Sequence, residues 1–232
     1  MKILIIGDIH GDLDIVNQYV DKSKCDIVLS VGDVGIMYRN HQRSLSKYSF
    51  NSNFYEYLEG KKKFNIPFYT VYGTHDNYGL VERIIEKDIC VDNFHIIENG
   101  TIKEHEKIKI AGIGGSYSEK TFNSNKFTGY NRRHFTKSQV EKLKQGKFHI
   151  LLLHDVIGKC SKKKVKFSQD TINLLRFSEC LYCFIGQYHW WGCAKLPGVN
   201  VVIMPKAQDG YMILDTDNEW SAEGIRFDLK GE

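Results

Sequence analysis

The chain has no apolar run approaching the roughly 20 residues that a membrane-crossing helix needs, so no membrane span is predicted. No signal peptide opens it either, because the first apolar run, Ile3 to Ile6, meets Asp8 almost at once. No linker, low-complexity segment or internal repeat divides the sequence. An excess of either charge is lacking: the formal net charge of +4 does not by itself imply nucleic acid. Six cysteines without a secretory signal predict reduced thiols in a cytoplasmic protein. Cys180 and Cys183 form one C-x-x-C, but no second pair completes a zinc set, and Cys183 lies in the apolar run Leu181–Ile185, where a thiol packs as a small hydrophobe. What remains is ordinary for a soluble globular chain, with 42% hydrophobic and 26% charged residues. Its 232 residues suffice to bury a substantial core, and the expectation is a single domain over residues 1–232.

The informative feature is where Asp and His fall. The run Ile3–Ile6 is followed by Gly7-Asp8-Ile9-His10, and Ile27–Val31 by Gly32-Asp33. Phe68–Tyr72 runs into Gly73-Thr74-His75-Asp76, Ile150–Leu153 into His154-Asp155, and Leu181–Ile185 into Gly186-Gln187-Tyr188-His189. Short apolar runs bounded by glycine read as buried strands, and open α/β sheets bind ligands at the carboxyl ends of their strands. Independent residues have no reason to recur at the same topological place, so these five ends predict one metal site on one sheet edge.

Between the runs, helices are predicted over about Leu13–Lys22, within Asn53–Leu58, over Leu80–Lys87, over Lys137–Lys144 with Thr136 as N-cap, and near Asp170–Glu179. The middle of the chain changes character. Phe94–Ile97, Thr101–Glu104 and Ile108–Ile113 read as short strands, with Glu98-Asn99-Gly100 as a hairpin turn. Val199–Met204 and Tyr211–Leu214 are predicted strands joined by the turn Gln208-Asp209-Gly210, and a last strand is placed at Ile225–Leu229. Alternating strands and helices followed by hairpins suggest two sheets face to face with helices outside.

Asp, His, Asp, His, His is a ligand set for Mn²⁺, Fe²⁺, Zn²⁺, Ni²⁺ or similar ions. Two such ions ~3.5–4 Å apart can clamp a phosphate, lower the pKa of a water and stabilise a displaced oxygen. Holding two cations that close requires a bridging carboxylate, for which Asp33 is the natural candidate. The other histidines, His41, His95, His105, His134 and His149, read as satisfied core or surface residues.

This pattern resembles the calcineurin-like metallophosphoesterases, whose order is D-x-H, G-D, G-N-H-[DE], a lone His and G-H-x-H. The resemblance runs from Met1 to about Leu214. It implies a four-layer α/β/β/α sandwich and hydrolysis of a phosphate ester. It also implies a first metal on the residues matching Asp8, His10 and His189, a bridge at Asp33, and a second metal on His154 with the residues matching Thr74 and Gln187. His75 then contacts the scissile phosphate and helps the leaving group, and Asp76 orients it. Thr74 stands where the family has Asn, and Gln187 where it has His, so one tight metal and one weak or absent metal are expected.

A narrower likeness covers Ile110–Tyr117, Tyr130–Phe135, Leu151–Asp155 and Pro205–Tyr211, which are similar to the RNA lariat-debranching branch and its small prokaryotic relatives. Arg132 and Arg133, beside Tyr130 and Phe135, are candidate phosphate contacts with aromatics available for stacking. Lys162, Lys163 and Lys164, in a run that includes Lys159 and Lys166, are candidate contacts on a loop after His154, and a solvated lysine loop is the equal alternative. The reading is a phosphodiesterase acting on RNA or a nucleotide. Its alternatives are a phosphomonoesterase or protein phosphatase, and a nucleic-acid or nucleotide binder with little turnover.

Overall fold

The computed structural model describes residues 1–38, 51–124, 132–161, 164–196 and 198–227, with the backbone alone for 159–161, 164, 165, 177 and 195. The chain first lays down β1 (Lys2–Ile6), α1 (Asp14–Ser23), β2 (Ile27–Ser30), α2 (Phe54–Leu58), β3 (Phe68–Thr70), α3 (Tyr78–Ile85) and β4 (Phe94–Ile96). These four strands pair in parallel in that order. The chain then crosses to a second sheet through β5 (Thr101–His105), β6 (Ile108–Ile113), α4 (Glu119–Ser124), α5 (Lys137–Leu143) and β7 (Ile150–Leu153). A small hairpin follows, β8 (Gly158–Ser161) and β9 (Lys164–Phe167), then α6 (Gln169–Phe177), β10 (Tyr182–Ile185), β11 (Gly192–Leu196) and β12 (Val199–Ile203). Finally β13 (Gly210–Asp215) and β14 (Ser221–Arg226) return to the first sheet.

The result is two mixed six-stranded sheets, ordered β14-β13-β1-β2-β3-β4 and β11-β12-β10-β7-β6-β5. Both faces of each sheet are covered, which is why the central strands read as unbroken apolar runs. Along β1, Ile3 and Ile5 enter the core between the sheets, while Leu4 and Ile6 pack with α1, α2 and α3. Along β7, Ile150 and Leu152 face the inter-sheet core, and Leu151 and Leu153 face α4, α5 and α6. The layers are therefore helix, sheet, sheet, helix, as the sequence predicts.

Register aligns the functional edge. Ile6 pairs with Ser30 and Ser30 with Thr70, so the loops after β1, β2 and β3 leave the first sheet together. In the second sheet Ile113, Leu153, Ile185 and Ile203 are similarly in line.

Several expectations are corrected. Glu98-Asn99-Gly100 is not a hairpin turn. β4 pairs in parallel with β3, and the turn carries the chain to the other sheet, where the hairpin is β5 with β6. Turn residues signal a change of direction but not which strand is joined. Gln208-Asp209-Gly210 likewise lies in a 3-10 turn, Ala207–Asp209, and a bend that passes from the second sheet to the first. The last strand among the described residues is Ser221–Arg226, a mostly exposed edge that overlaps the expected Ile225–Leu229 only at Ile225 and Arg226, while 228 and 229 lie outside the described residues. Of the lysine run after His154, Lys159 falls in β8 and Lys166 in β9 rather than on a loop. Lys162 and Lys163 lie outside the described residues, and Lys164 starts β9.

Candidate metal centre

Asp8 and His10 follow β1 and His189 follows β10, and the register brings all three to one point. The His189 Nε2 atom lies 2.8 Å from Asp8 Oδ2 and 3.0 Å from His10 Nε2. Two imidazole nitrogens and a carboxylate oxygen this close, on two separate loops, form a ligand set that a divalent cation would satisfy. Asp8 is 1% exposed, and the backbone N–H of Gln187 donates to it at 3.0 Å.

A second cluster joins Asp8, Asp33 and His154. The His154 ring is fully buried, and its Nδ1 lies 2.9 Å from the Val31 carbonyl oxygen. A carbonyl only accepts, so Nδ1 carries the proton and Nε2 presents its lone pair to the centre. That Nε2 accepts from the Thr74 backbone N–H at 3.3 Å and stands 3.5 Å from Asp33 Oδ2. Burial opposes a charged His154 ring, but Asp33, Asp8 and the Val31 carbonyl outweigh it, and its pKa moves up. Burial dominates at His10, whose pKa moves down although Asp8 and Asp33 pull it up.

Asp33 Oδ1 accepts from the His75 backbone N–H at 2.8 Å, and Asp33 Oδ2 is buried with no hydrogen-bond donor among the described residues. A buried carboxylate oxygen without a donor is costly unless something positive answers it. Gln187 Oε1 is a second such acceptor. These two orphaned oxygens are the observation that fits a cation here. The carboxylate common to both clusters is that of Asp8; Asp33 belongs to the second.

The backbone around the centre is strained. His10, Asp33, Gln187 and His189 have φ values of 53°, 45°, 68° and 56°, in the left-handed region that side chains rarely adopt. Two glycines let the carboxylates sit where they do. A Cβ on Gly73 would lie 2.0 Å from Asp33 Oδ1, and one on Gly186 would lie 2.6 Å from Asp8 Oδ1.

Both carboxylate oxygens of Asp76 are engaged by backbone amides. Its Oδ1 accepts from the N–H groups of Gly35 and Ile36, both at 2.8 Å, and its Oδ2 from that of Gly73 at 2.7 Å. It therefore staples the loop after β2 to the loop after β3. Burial pushes its pKa up to about 6, with Asp33 adding to the rise and the three amides opposing it. The His75 ring stands over the edge, with Nε2 3.9 Å from Asp33 Oδ2 and its ring centroid 5.8 Å from that of His10.

Arg132 and Arg133 reach the same end of the sandwich, since the Ser116 N–H after β6 donates to the Arg133 carbonyl at 2.8 Å. The Arg132 guanidinium pairs with Glu82 at 2.6 Å. Cys180 and Cys183 are buried free thiols in the second sheet's core, and burial pushes Cys180 up to about 12.

The sequence reading missed Asp155 as a connector. Its Oδ1 accepts from the Tyr188 hydroxyl at 2.5 Å and its Oδ2 from the Tyr117 N–H at 2.8 Å, so it ties the loops after β6, β7 and β10 together. Its place beside His154 was the available signal, but only the fold supplies its partners.

Comparison with known proteins gives the context. The family pattern described as Metallophos, calcineurin-like phosphoesterase, matches residues 1–191. A curated relative, the lariat debranching enzyme of Arabidopsis thaliana, is 26% identical over 137 residues. That match takes in 55% of this chain but only 33% of the relative's length. Among solved structures, TT1561 of Thermus thermophilus superposes with a TM-score of 0.62 at 14% identity, covering 97% of this chain and 98% of that one. GAP50, the anchor in the inner membrane complex of Plasmodium, gives 0.59 at 14% identity, covering all of this chain and 86% of its own. At such identities these structures establish the fold alone. Every residue of the two clusters lies inside the matched span, and the chain belongs to the calcineurin-like phosphoesterase family.

Proposed function

We propose that this protein hydrolyses a phosphodiester, with a nucleotide or RNA as substrate, in one domain formed by residues 1–232. The observation that carries the reading is the convergence of Asp8, His10 and His189 beside an Asp33 oxygen that is buried and unanswered. In this reading Asp8, His10 and His189 hold a first divalent ion of the Mn²⁺ type. Asp33 and His154, with weak help from Thr74 and Gln187, hold a second. Such ions supply Lewis-acid polarisation of a phosphate and acidify a water.

The protein's own groups do the rest. Asp33 and His154 are fixed by hydrogen bonds from the His75 amide and to the Val31 carbonyl, so little reorganisation is needed when substrate arrives. In this reading His75, one-quarter exposed and with Nε2 3.9 Å from Asp33 Oδ2, touches the phosphate and holds a proton at Nε2 for the departing oxygen. Asp76 positions His75 through the backbone of the loop that carries it. Arg133, at the same edge, is a phosphate contact, and Lys162, Lys163 and Lys164 are proposed contacts to an RNA backbone, of which Lys162 and Lys163 lie outside the described residues. Support for a nucleic-acid substrate comes from the partial match to a lariat debranching enzyme. A second reading, a nucleotide or nucleic-acid binder with little turnover, is favoured by Thr74 and Gln187 alone.

Hydrolysis of an aryl phosphodiester and its matching monoester with Mn²⁺ supplied tests the proposal. The diester should react faster, and His75→Ala should lower the rate by ~10²–10⁴-fold with the metal still bound. Activity untouched by His75→Ala refutes the assigned role, and no turnover with any divalent ion favours the binder.

A further inference from the structure

Beside the metal centre lies a second concavity that the chemistry above does not use. It is a cleft of about 380 Å³ between α3, Tyr72 after β3, the Glu98–Gly100 crossover and Arg132. Ligand clefts typically span ~300–1,000 Å³, so it can accept a flat ring of nucleobase size. Tyr78 links it to the centre: its ring lines the cleft, while its hydroxyl donates to the Gly73 carbonyl at 3.2 Å on the loop carrying Thr74 and His75.

The lining sorts ligands by chemistry. Tyr72 and Tyr78 meet edge to face, with centroids 5.6 Å apart, and both hydroxyls are committed to the protein. Tyr72 accepts from Asn99 Nδ2 at 2.8 Å, and Asn99 uses its remaining groups on Gly114. The tyrosines therefore offer ring carbon, joined by the side chains of Val81 and Ile85. Among the described residues, the polar groups left are Gln139 and three carboxylates, Glu82, Glu86 and Glu98, against one lining cation, Arg132, which Glu82 already holds. Carboxylates accept hydrogen bonds and repel phosphate. An apolar aromatic floor with an acceptor-rich anionic rim rejects the phosphate of a nucleotide and accepts its base.

We propose that this cleft is a nucleobase subsite of the same enzyme, selective for bases that present an exocyclic amino group. The inference rests on the phosphodiester reading for its biological sense but not for its test. A nucleotide bound across Tyr78 is oriented by charge: its base enters the acidic cleft, and its phosphate is directed to the metal edge. Cytidine and uridine separate the idea cleanly, because cytosine carries an N4 amino donor where uracil carries an O4 acceptor.

The test measures binding of the four free nucleosides by saturation-transfer NMR and calorimetry, which requires neither metal nor turnover. Cytidine should bind ~10-fold more tightly than uridine, the effect of one hydrogen bond to a charged acceptor. Ile85→Trp, which fills the cleft from its partly exposed helix end, should abolish binding of both. Glu86→Gln together with Glu98→Gln, the carboxylates that Arg132 does not hold, should narrow the difference between them. In kinetics, Ile85→Trp should raise KM for a cytidine-containing diester and leave hydrolysis of an aryl diester unchanged. Equal binding of cytidine and uridine, or nucleoside binding indifferent to Ile85→Trp, overturns the proposal. So does occupancy of the cleft by a polyamine such as spermidine with no nucleoside bound, which would make it a cation site. Nucleoside binding as described in a protein without diesterase activity would sustain the subsite and reject the enzymatic reading. Diesterase activity without nucleoside binding would do the reverse.

Discussion

Thr74 and Gln187 make the second metal site the most informative place to perturb. Gln187 Oε1 is buried without a donor, a condition that costs about 1–3 kcal/mol. A cation seated against it relieves that penalty, and 1–3 kcal/mol corresponds to roughly 5–150-fold in affinity. The amide oxygen is therefore a real but modest ligand. Thr74 contributes less, because what it presents to His154 is its backbone N–H at 3.3 Å. That hydrogen bond occupies the Nε2 lone pair a second ion needs, and breaking it costs about 0.5–1.5 kcal/mol. The parent protein should thus bind one Mn²⁺ tightly and a second more weakly, the cost of that hydrogen bond alone amounting to roughly 2–13-fold. Thr74→Asn with Gln187→His replaces a hydroxyl and an amide with an amide and an imidazole, each a better ligand. Since alteration of an outer partner already changes affinity or activity by ~10–100-fold, this direct repair should gain at least that much. All the repaired groups surround one ion, so the double variant should exceed the sum of the singles in free energy. Calorimetric titration of the metal-stripped protein, paired with the diesterase rate, reads both quantities. Two equally tight ions in the parent would refute the argument from Thr74 and Gln187. A repaired second ion with no faster turnover would show that this site does not limit catalysis.

Two substitutions test the supporting backbone. Gly186→Ala places a Cβ against Asp8 Oδ1 and the Val31 carbonyl, so metal affinity should fall ~10–100-fold and stability by about 1–3 kcal/mol. The control Gly79→Ala, whose added carbon has only Asn77 Oδ1 at 3.5 Å, should leave both intact, and equal effects in a calorimetric melt and metal titration would refute the packing argument. Asp76→Asn turns an NH₂ toward one of three amide donors. It should lower stability by about 1–3 kcal/mol in a chemical melt. A loss of activity with unchanged stability would instead restore a direct role on the His75 ring.

The layered fold was legible because its central strands are buried on both faces and therefore apolar throughout, as in Ile3–Ile6 and Ile150–Leu153. The site was legible for the same reason, since each such run ends in a residue suited to a metal. What escaped was partnership. Glu98-Asn99-Gly100 and Gln208-Asp209-Gly210 read as turns, and nothing local tells a hairpin from a crossing between sheets. Strand β14 is exposed except at Ile225 and carries no alternating apolar pattern, so its position could not be read from periodicity. The β8–β9 hairpin was hidden by its lysines. Asp76 and Asp155 were visible as acids beside histidines, but their backbone and tyrosine partners lie on distant segments, as do the facing rings of Tyr72 and Tyr78 and the groups that fix them.

The place of β1 has a consequence for how the protein acquires its shape. This strand is central in its sheet, yet one of its two neighbours is β13, so Lys2 waits for Asp215 and Ile6 for Tyr211. Closing so long a loop is slow, because chain entropy must be overcome before the contacts reward it. During synthesis, Asp8 emerges long before His189 and β13. The nascent β1 can pair with β2 but keeps an open, hydrophobic edge until β13 has been made. A divalent ion that needs Asp8 and His189 together recognises only the finished arrangement. Through mass action it would hold that arrangement against reopening, so the metal supply during synthesis should influence how much chain matures and how much aggregates.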